Sequence, residues 1–251
     1  MKKYILILFS VFAFAQSGLI ARQNFAKKTG SINLLNGLFA YYPLDSNTND
    51  LKNGYNGTGT AITYVAGGIN NEASFNGTSS KISIPNQADF NFTDGTNDKP
   101  FTISFTYVQN PVSDATLFII SKNNTDFQWE VLLISRKISV ILGRQSTGQN
   151  IRRDGLNMLT TGTRYKITIT YDGSKSETGI KIYKNNVDES GATFPNASYT
   201  GMQSTTSEVT IGKWLPNAQY ITGTLDDICF WNRVLTTDEI TANYNRTINL
   251  L

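Results

Sequence analysis

A chain of 251 residues carrying 22 basic and 19 acidic side chains has a formal charge of +3. So small an excess excludes electrostatic attraction to nucleic acid or anionic membranes as the basis of its function. There is no histidine and a single cysteine, Cys229, which excludes histidine bases and metal ligands, Ser-His-Asp triads and an internal disulfide.

Residues 1–15 read as a secretory signal. Lys2-Lys3 form a positive start, 4–14 is apolar but too short to span a bilayer, and Ala13-Phe14-Ala15 is a small-residue cleavage site. Cleavage leaves Gln16 as the mature N-terminus and removes two lysines, taking the charge from +3 to +1. The expected location is secreted, periplasmic or cell-surface. Residues 16–36 form a polar, basic lead-in, and the domain proper is expected over 37–251.

Short apolar segments then recur between turn residues, at 38–44, 61–65, 73–75, 81–85, 101–109, 116–121, 127–133, 137–142, 165–171, 179–183, 208–212 and 223–231. A dozen such strands predict two packed antiparallel sheets. Asn185-Asn186 is expected at a hairpin tip, because Asn tolerates positive φ. Cys229, inside the last apolar strand, is expected to be a buried thiol acting as a small hydrophobe. One helix is predicted, over 237–245. It opens on Thr236-Thr237-Asp238-Glu239, a capping box, with Leu235 and Ile240 placed to form a hydrophobic staple.

The closing run from Gly223-Thr224-Leu225-Asp226-Asp227 through Asn232-Arg233 to the Leu235 helix resembles the final motif of the LamG-like (laminin G type 3), concanavalin A-like lectin/glucanase jelly-roll family. Tyr41-Tyr42-Pro43-Leu44-Asp45, Ala73-Ser74-Phe75-Asn76-Gly77, Phe101-Thr102-Ile103-Ser104-Phe105, Thr170-Tyr171-Asp172-Gly173, Ile182-Tyr183-Lys184-Asn185-Asn186 and Val209-Thr210-Ile211-Gly212 follow the family's order. The resemblance implies an all-β fold, an antiparallel two-sheet jelly-roll sandwich with one short C-terminal helix. The chain departs from the pattern at Thr106 and Arg164, where the family often has tryptophan; Tyr107 and Tyr165 stand beside them.

Catalysis is not expected. The E-x-D-x-x-E strand of jelly-roll glucanases is missing. Asp126 and Glu130 would share a strand face but lie ~13 Å apart along it, beyond the roughly 5–9.5 Å of glycosidase carboxylate pairs. For calcium, the loop from Asp45 to Asp50 offers oxygen ligands, with turn capping as the alternative role for both aspartates. The resemblance adds Asp226, whose counterpart in many relatives helps hold a structural Ca2+.

For sugars, an aromatic face beside planar polar groups is the expected arrangement. The candidates are Trp214 with Asn217 and Tyr220, and Trp129 with Asn124, Asp126 and Arg144. Core packing is the competing role of each tryptophan, and Trp231 matches an aromatic core position of the family. The reading favoured is an exported, non-catalytic, lectin-like module whose partner is a glycan or glycoprotein. The alternatives are a structural or cell-adhesion component with protein partners, and a glycoside hydrolase with an unrecognised carboxylate pair.

Overall fold

The computed structural model describes residues 32–110, 116–123, 127–144, 147–214 and 219–251. The expected signal, 1–15, lies outside them. Leu34–Leu251 form one compact unit, so the end of the lead-in belongs to the domain body.

Two eight-stranded antiparallel sheets make up that unit. Across sheet A run β13 (Val187–Asp188), β12 (Ile180–Lys184), β11 (Arg164–Tyr171), β6 (Phe101–Gln109), β18 (Thr222–Trp231), β4 (Asn71–Asn76) and β3 (Thr63–Ala66). β1 (Leu38–Tyr42) also pairs with β18, beyond the end of β4. Across sheet B run β14 (Ser190–Phe194), β10 (Gln149–Gly155), β9 (Lys137–Arg144), β8 (Phe127–Ile134), β7 (Leu117–Asn123), β15 (Val209–Ile211), β5 (Lys81–Ile84) and β2 (Thr58–Thr60). A two-stranded hairpin, β16 (Lys213–Trp214) and β17 (Gln219–Tyr220), packs against β7.

Alternation explains the core. Phe101, Ile103 and Phe105 of β6 stand opposite Tyr171, Ile169 and Ile167 of β11, and all six face inward. Sheet B contributes Trp129, Val131 and Leu133 from β8 and Val140 and Leu142 from β9. Aromatic contacts tie the layers together. Phe92 stacks on Phe101 at 4.1 Å, and Phe90 meets Phe230 edge-on at 5.1 Å. A core of this kind suits a domain with no disulfide to staple it.

The C-terminal helix α1 (Thr237–Tyr244) covers the outer face of sheet A. Its capping box is complete: Glu239 N–H donates to Thr236 Oγ1 at 3.3 Å, and Thr236 N–H donates to Glu239 Oε2 at 2.9 Å. Leu235 and Ile240 pack with Leu38, Tyr41, Cys229 and Trp231 in a second apolar cluster. Cys229 is buried there, and its thiol is pushed well above its ordinary range by burial. Trp231 is buried on this outer face, its indole N–H donating to Leu34 O at 2.7 Å, rather than between the sheets. Asn185 and Asn186 do form a hairpin tip, with φ of 50° and 66°.

The expected strands are present, and β13 is the return arm of the expected Asn185-Asn186 hairpin, but β10, β14 and the short β2, β16 and β17 were not anticipated. In Gln149–Gly155 only Ile151 among the apolar types points into the core, so the segment carries no apolar alternation. Its partners supply the strand character.

β18 is irregular at one point. Asp226 pairs with Thr106 and Cys229 with Ser104, so one extra residue is accommodated, and Asp227 takes φ of 55°. The bulge turns the buried Asp227 carboxylate onto Lys166 of β11 and Arg246 beyond the helix. Burial raises the pKa of Asp227, but Lys166 and Arg246 more than offset it and hold the group below the ordinary carboxylate range. Because removing one member of a buried ionic group strands the others, Asp227→Ala should lower the unfolding free energy by ~3–5 kcal/mol in urea titration. Loss of the cap alone, in Thr236→Ala, should cost ~1 kcal/mol.

Candidate functional site

The outer face of sheet B carries the aromatic and polar groups that suit a ligand. Thr210, Ser121 and Glu130 lie in one row across β15, β7 and β8. Phe118, outward on β7, stacks on Trp214 of the adjoining hairpin at 4.8 Å and an interplanar angle of 6°. Trp214 is half-buried, whereas Trp129 and Trp231 are wholly enclosed. The stack fixes the Trp214 ring while leaving part of it free.

Around it, hydrogen bonding is incomplete. Among the described residues, Trp214 Nε1, Ser121 Oγ, Thr210 Oγ1, Asn123 Oδ1 and Ser139 Oγ are buried without a partner. Folded proteins leave few such atoms, and this group belongs to one sheet face and its hairpin. Glu130 accepts from Asn123 Nδ2. Burial pushes its pKa up to about 7, against the opposing pull of Asn123 and the nearby Trp214 indole. The Trp214 N–H approaches Glu130 without forming a well-directed hydrogen bond.

The residues expected at a sugar site separate. Trp129 takes the core role: it is 1 % exposed and donates its indole N–H to Phe90 O at 3.0 Å. It offers no face to a sugar, because its position on β8 directs it between the sheets. Arg144 ends β9 opposite Gln149. Asn124, Asp126 and Asn217 lie outside the described residues. Tyr220 pairs with Lys213, and Trp214 with Gln219, so alternation puts Tyr220 and Trp214 on opposite faces of the hairpin. Phe118, Asn123, Ser121 and Thr210 were missed. Their neighbourhood depends on strand pairing, although outward hydroxyls within apolar strands were a visible sign.

Nor do the expected calcium ligands form a cation cage. Asp50 is a turn cap. One oxygen accepts from the N–H groups of Tyr41 at 2.7 Å and Lys52 at 2.9 Å, and the other from Asn53 and Tyr55, each at 3.0 Å. Asp45 accepts from Asn71 N–H and from the side chains of Asn70 and Asn249. Among the described residues no three Asp, Glu, Cys or His side chains group closely enough to hold a metal. Calcium favours six to eight oxygens, and an aspartate already accepting four N–H groups does not fit that role.

Asp226 is different. It is 3 % exposed, its carboxylate makes no hydrogen bond among the described residues, and it lines a cavity of about 250 Å3 on the outer face of sheet A. Lys166, Thr106, Arg164, Asn185 and Tyr244 also line it. Thr106 and Arg164, the two departures from the family's aromatic pattern, are thus brought together. Burial, then the charges of Asp227, Glu72 and Asp45, push the Asp226 pKa up to about 8, with Lys166 opposing.

Similarity to known proteins agrees with this architecture. The concanavalin A-like lectin/glucanases superfamily, in its laminin G type 3 form, matches residues 76–241, and the chain belongs to that family. Domain 4 of AbnA, a GH43 extracellular arabinanase from Geobacillus stearothermophilus, solved in complex with arabinotriose, is similar at a TM-score of 0.61 and 19 % identity, over 83 % of this chain and 98 % of that one. The binding domain of Paraclostridial Mosquitocidal Protein 1 gives 0.67 and 17 %, over 85 % of this chain and 53 % of that one. Botulinum neurotoxin type C, whose cell entry depends on interaction with two ganglioside molecules, gives 0.62 and 16 %, over 84 % and 51 %. This chain therefore spans about half the length of the two toxin chains. At these identities the likeness is one of fold. No curated protein sequence matches the chain.

The buried carboxyls set a pH dependence. In the unfolded chain Asp226 loses its proton near its ordinary value of 3.8, and in the fold near 8. Between those values the folded state binds more protons, so stability falls as pH rises from about 4 to about 8. Glu130 acts in the same direction up to about pH 7. Urea unfolding across this range should show the decline. Asp226→Asn should flatten it and raise the midpoint at pH 8.

Proposed function

We propose that this protein is an exported, non-catalytic carbohydrate-binding module that engages a glycan or glycoprotein through the Trp214 face of sheet B. The observation that carries the reading is the half-buried Trp214, locked on Phe118 beside polar atoms that lack partners among the described residues. An aromatic ring covers the C–H face of a sugar, and the surrounding polar groups meet its hydroxyls. The arabinotriose and ganglioside contexts of the structural relatives support the same class of ligand. The lysine pair, apolar run and small-residue site of residues 1–15 support export.

The groups available support binding without turnover. The chain has no histidine, and Glu130 is committed to Asn123. Affinity electrophoresis against a panel of arabinan, xylan, β-glucan, galactan and mannan should retard the wild type on at least one gel. Trp214→Ala should weaken that interaction about tenfold or more, as loss of a central aromatic anchor does, and Trp129 should remain buried by its fluorescence. Unretarded wild type, or equal retardation of the variant, would count against the proposal. Reducing-sugar release from a retained polysaccharide would show that the module is an enzyme.

A further inference from the structure

The cavity on the outer face of sheet A has a chemistry of its own. Its ions are mostly spent on one another. Asp227 is held between Lys166 and Arg246, and Arg164 pairs with Glu72. Hydrogen-bonding capacity remains elsewhere. The Asp226 carboxylate has no hydrogen bond among the described residues, although the residue is only 3 % exposed. Arg164 gives one nitrogen to Glu72, and its side chain is 37 % exposed. Asn185 uses its carbonyl oxygen to accept from Lys166 N–H at 2.9 Å, leaving its amide nitrogen for a ligand. Tyr244, 41 % exposed, supplies an aromatic wall.

A divalent cation suits this space poorly. Arg164, Lys166 and Arg246 all line it, and Asp226 is the one carboxylate there without a cation bound to it. A free anion would meet Asp226 and the nearby charges of Asp227, Glu72 and Asp45. A neutral polyol meets neither objection. Its hydroxyls donate to Asp226 and accept from Arg164 and Asn185, and a C–H face lies on Tyr244. A carboxyl group accepts from a hydroxyl in either charge state, so the match does not depend on its ionisation.

We infer that this cavity is a second carbohydrate site, taking one neutral monosaccharide unit such as the end of a glycan chain. It shares a ligand class with the Trp214 face but stands on separate residues of the other sheet. With both sites filled, one chain would hold two points of a branched or clustered glycan and gain avidity.

Saturation-transfer NMR on the full protein tests this, with the methyl glycosides of galactose, glucose, mannose and arabinose as probes. Wild type and Trp214→Ala should both transfer saturation to at least one probe. Asp226→Ala should weaken that probe's binding about tenfold or more, the weight of a hydrogen bond to a carboxylate. The Asp226 carboxylate makes no hydrogen bond among the described residues, so this variant should melt no lower than wild type. Should it melt lower, Arg164→Gln, altered at a part-exposed position, must show the loss instead. Three results would overturn the inference: no transfer from wild type to any probe, equal transfer from Asp226→Ala, or loss of transfer in Trp214→Ala alone. Calorimetric CaCl2 binding that Asp226→Ala abolishes would also overturn it, by making the cavity a cation site. Polysaccharide retardation through Trp214 can survive each of these except where Trp214 itself binds the monosaccharide, so the two proposals fail separately.

Discussion

The ionic clamp on Asp227 is the constraint around which the structure is arranged. β18 pairs with β6 along one side and with both β4 and β1 along the other. It is the strand through which the start, middle and end of the domain meet. Its bulge would be an irregularity in a buried sheet if the displaced carboxylate were not neutralised. Lys166 from β11 and Arg246 from the tail after α1 do that from two different parts of the chain. A buried ionic group of this type is weak evidence of net stability, and its consequence here is for register. Shifting β18 by one residue would carry Asp227 away from both cations and turn Ile228 and Phe230 out of the core.

The two sheets are alike in how they treat their outer faces. Each keeps one enclosed carboxyl whose pKa is raised by burial, Glu130 on sheet B and Asp226 on sheet A. Neither is neutralised in the way that Asp227 is. A fold optimised for stability alone would replace such groups with apolar or fully bonded ones. They stand beside half-buried or exposed aromatic rings, Trp214 on one side and Tyr244 on the other, and both proposed sugar sites rest on that arrangement. Asp50 shows the contrast. Its carboxylate is just as deeply placed, yet every acceptor position is filled by backbone N–H groups, and it serves the loop alone.

Much of the fold was legible in the sequence, and the candidate site much less so. The closing strand, its capped helix and the Asn185-Asn186 hairpin were readable because each depends on residues a few positions apart. A side chain answers a nearby backbone N–H, or alternation selects a face. The strand Gln149–Gly155 was not readable, because its extended form comes from β9 and β14 rather than from its own apolar pattern. The tryptophans were ambiguous for a related reason. Trp129 and Trp214 both sit among polar residues, and only the direction of their strands separates a core ring from a surface ring.

The sequence alone determined the all-β class, the order of most strands and the local chemistry of turns and caps, since these rest on short-range periodicity and hydrogen bonding. The tertiary structure decided which carboxylates are spent and which are open. It also set which aromatic ring faces out, and it placed Thr106, Arg164 and Asp226 around one cavity. Those outcomes depend on pairing register between strands far apart in the chain, where a one-residue slip reverses every side chain and local composition carries no record of the choice.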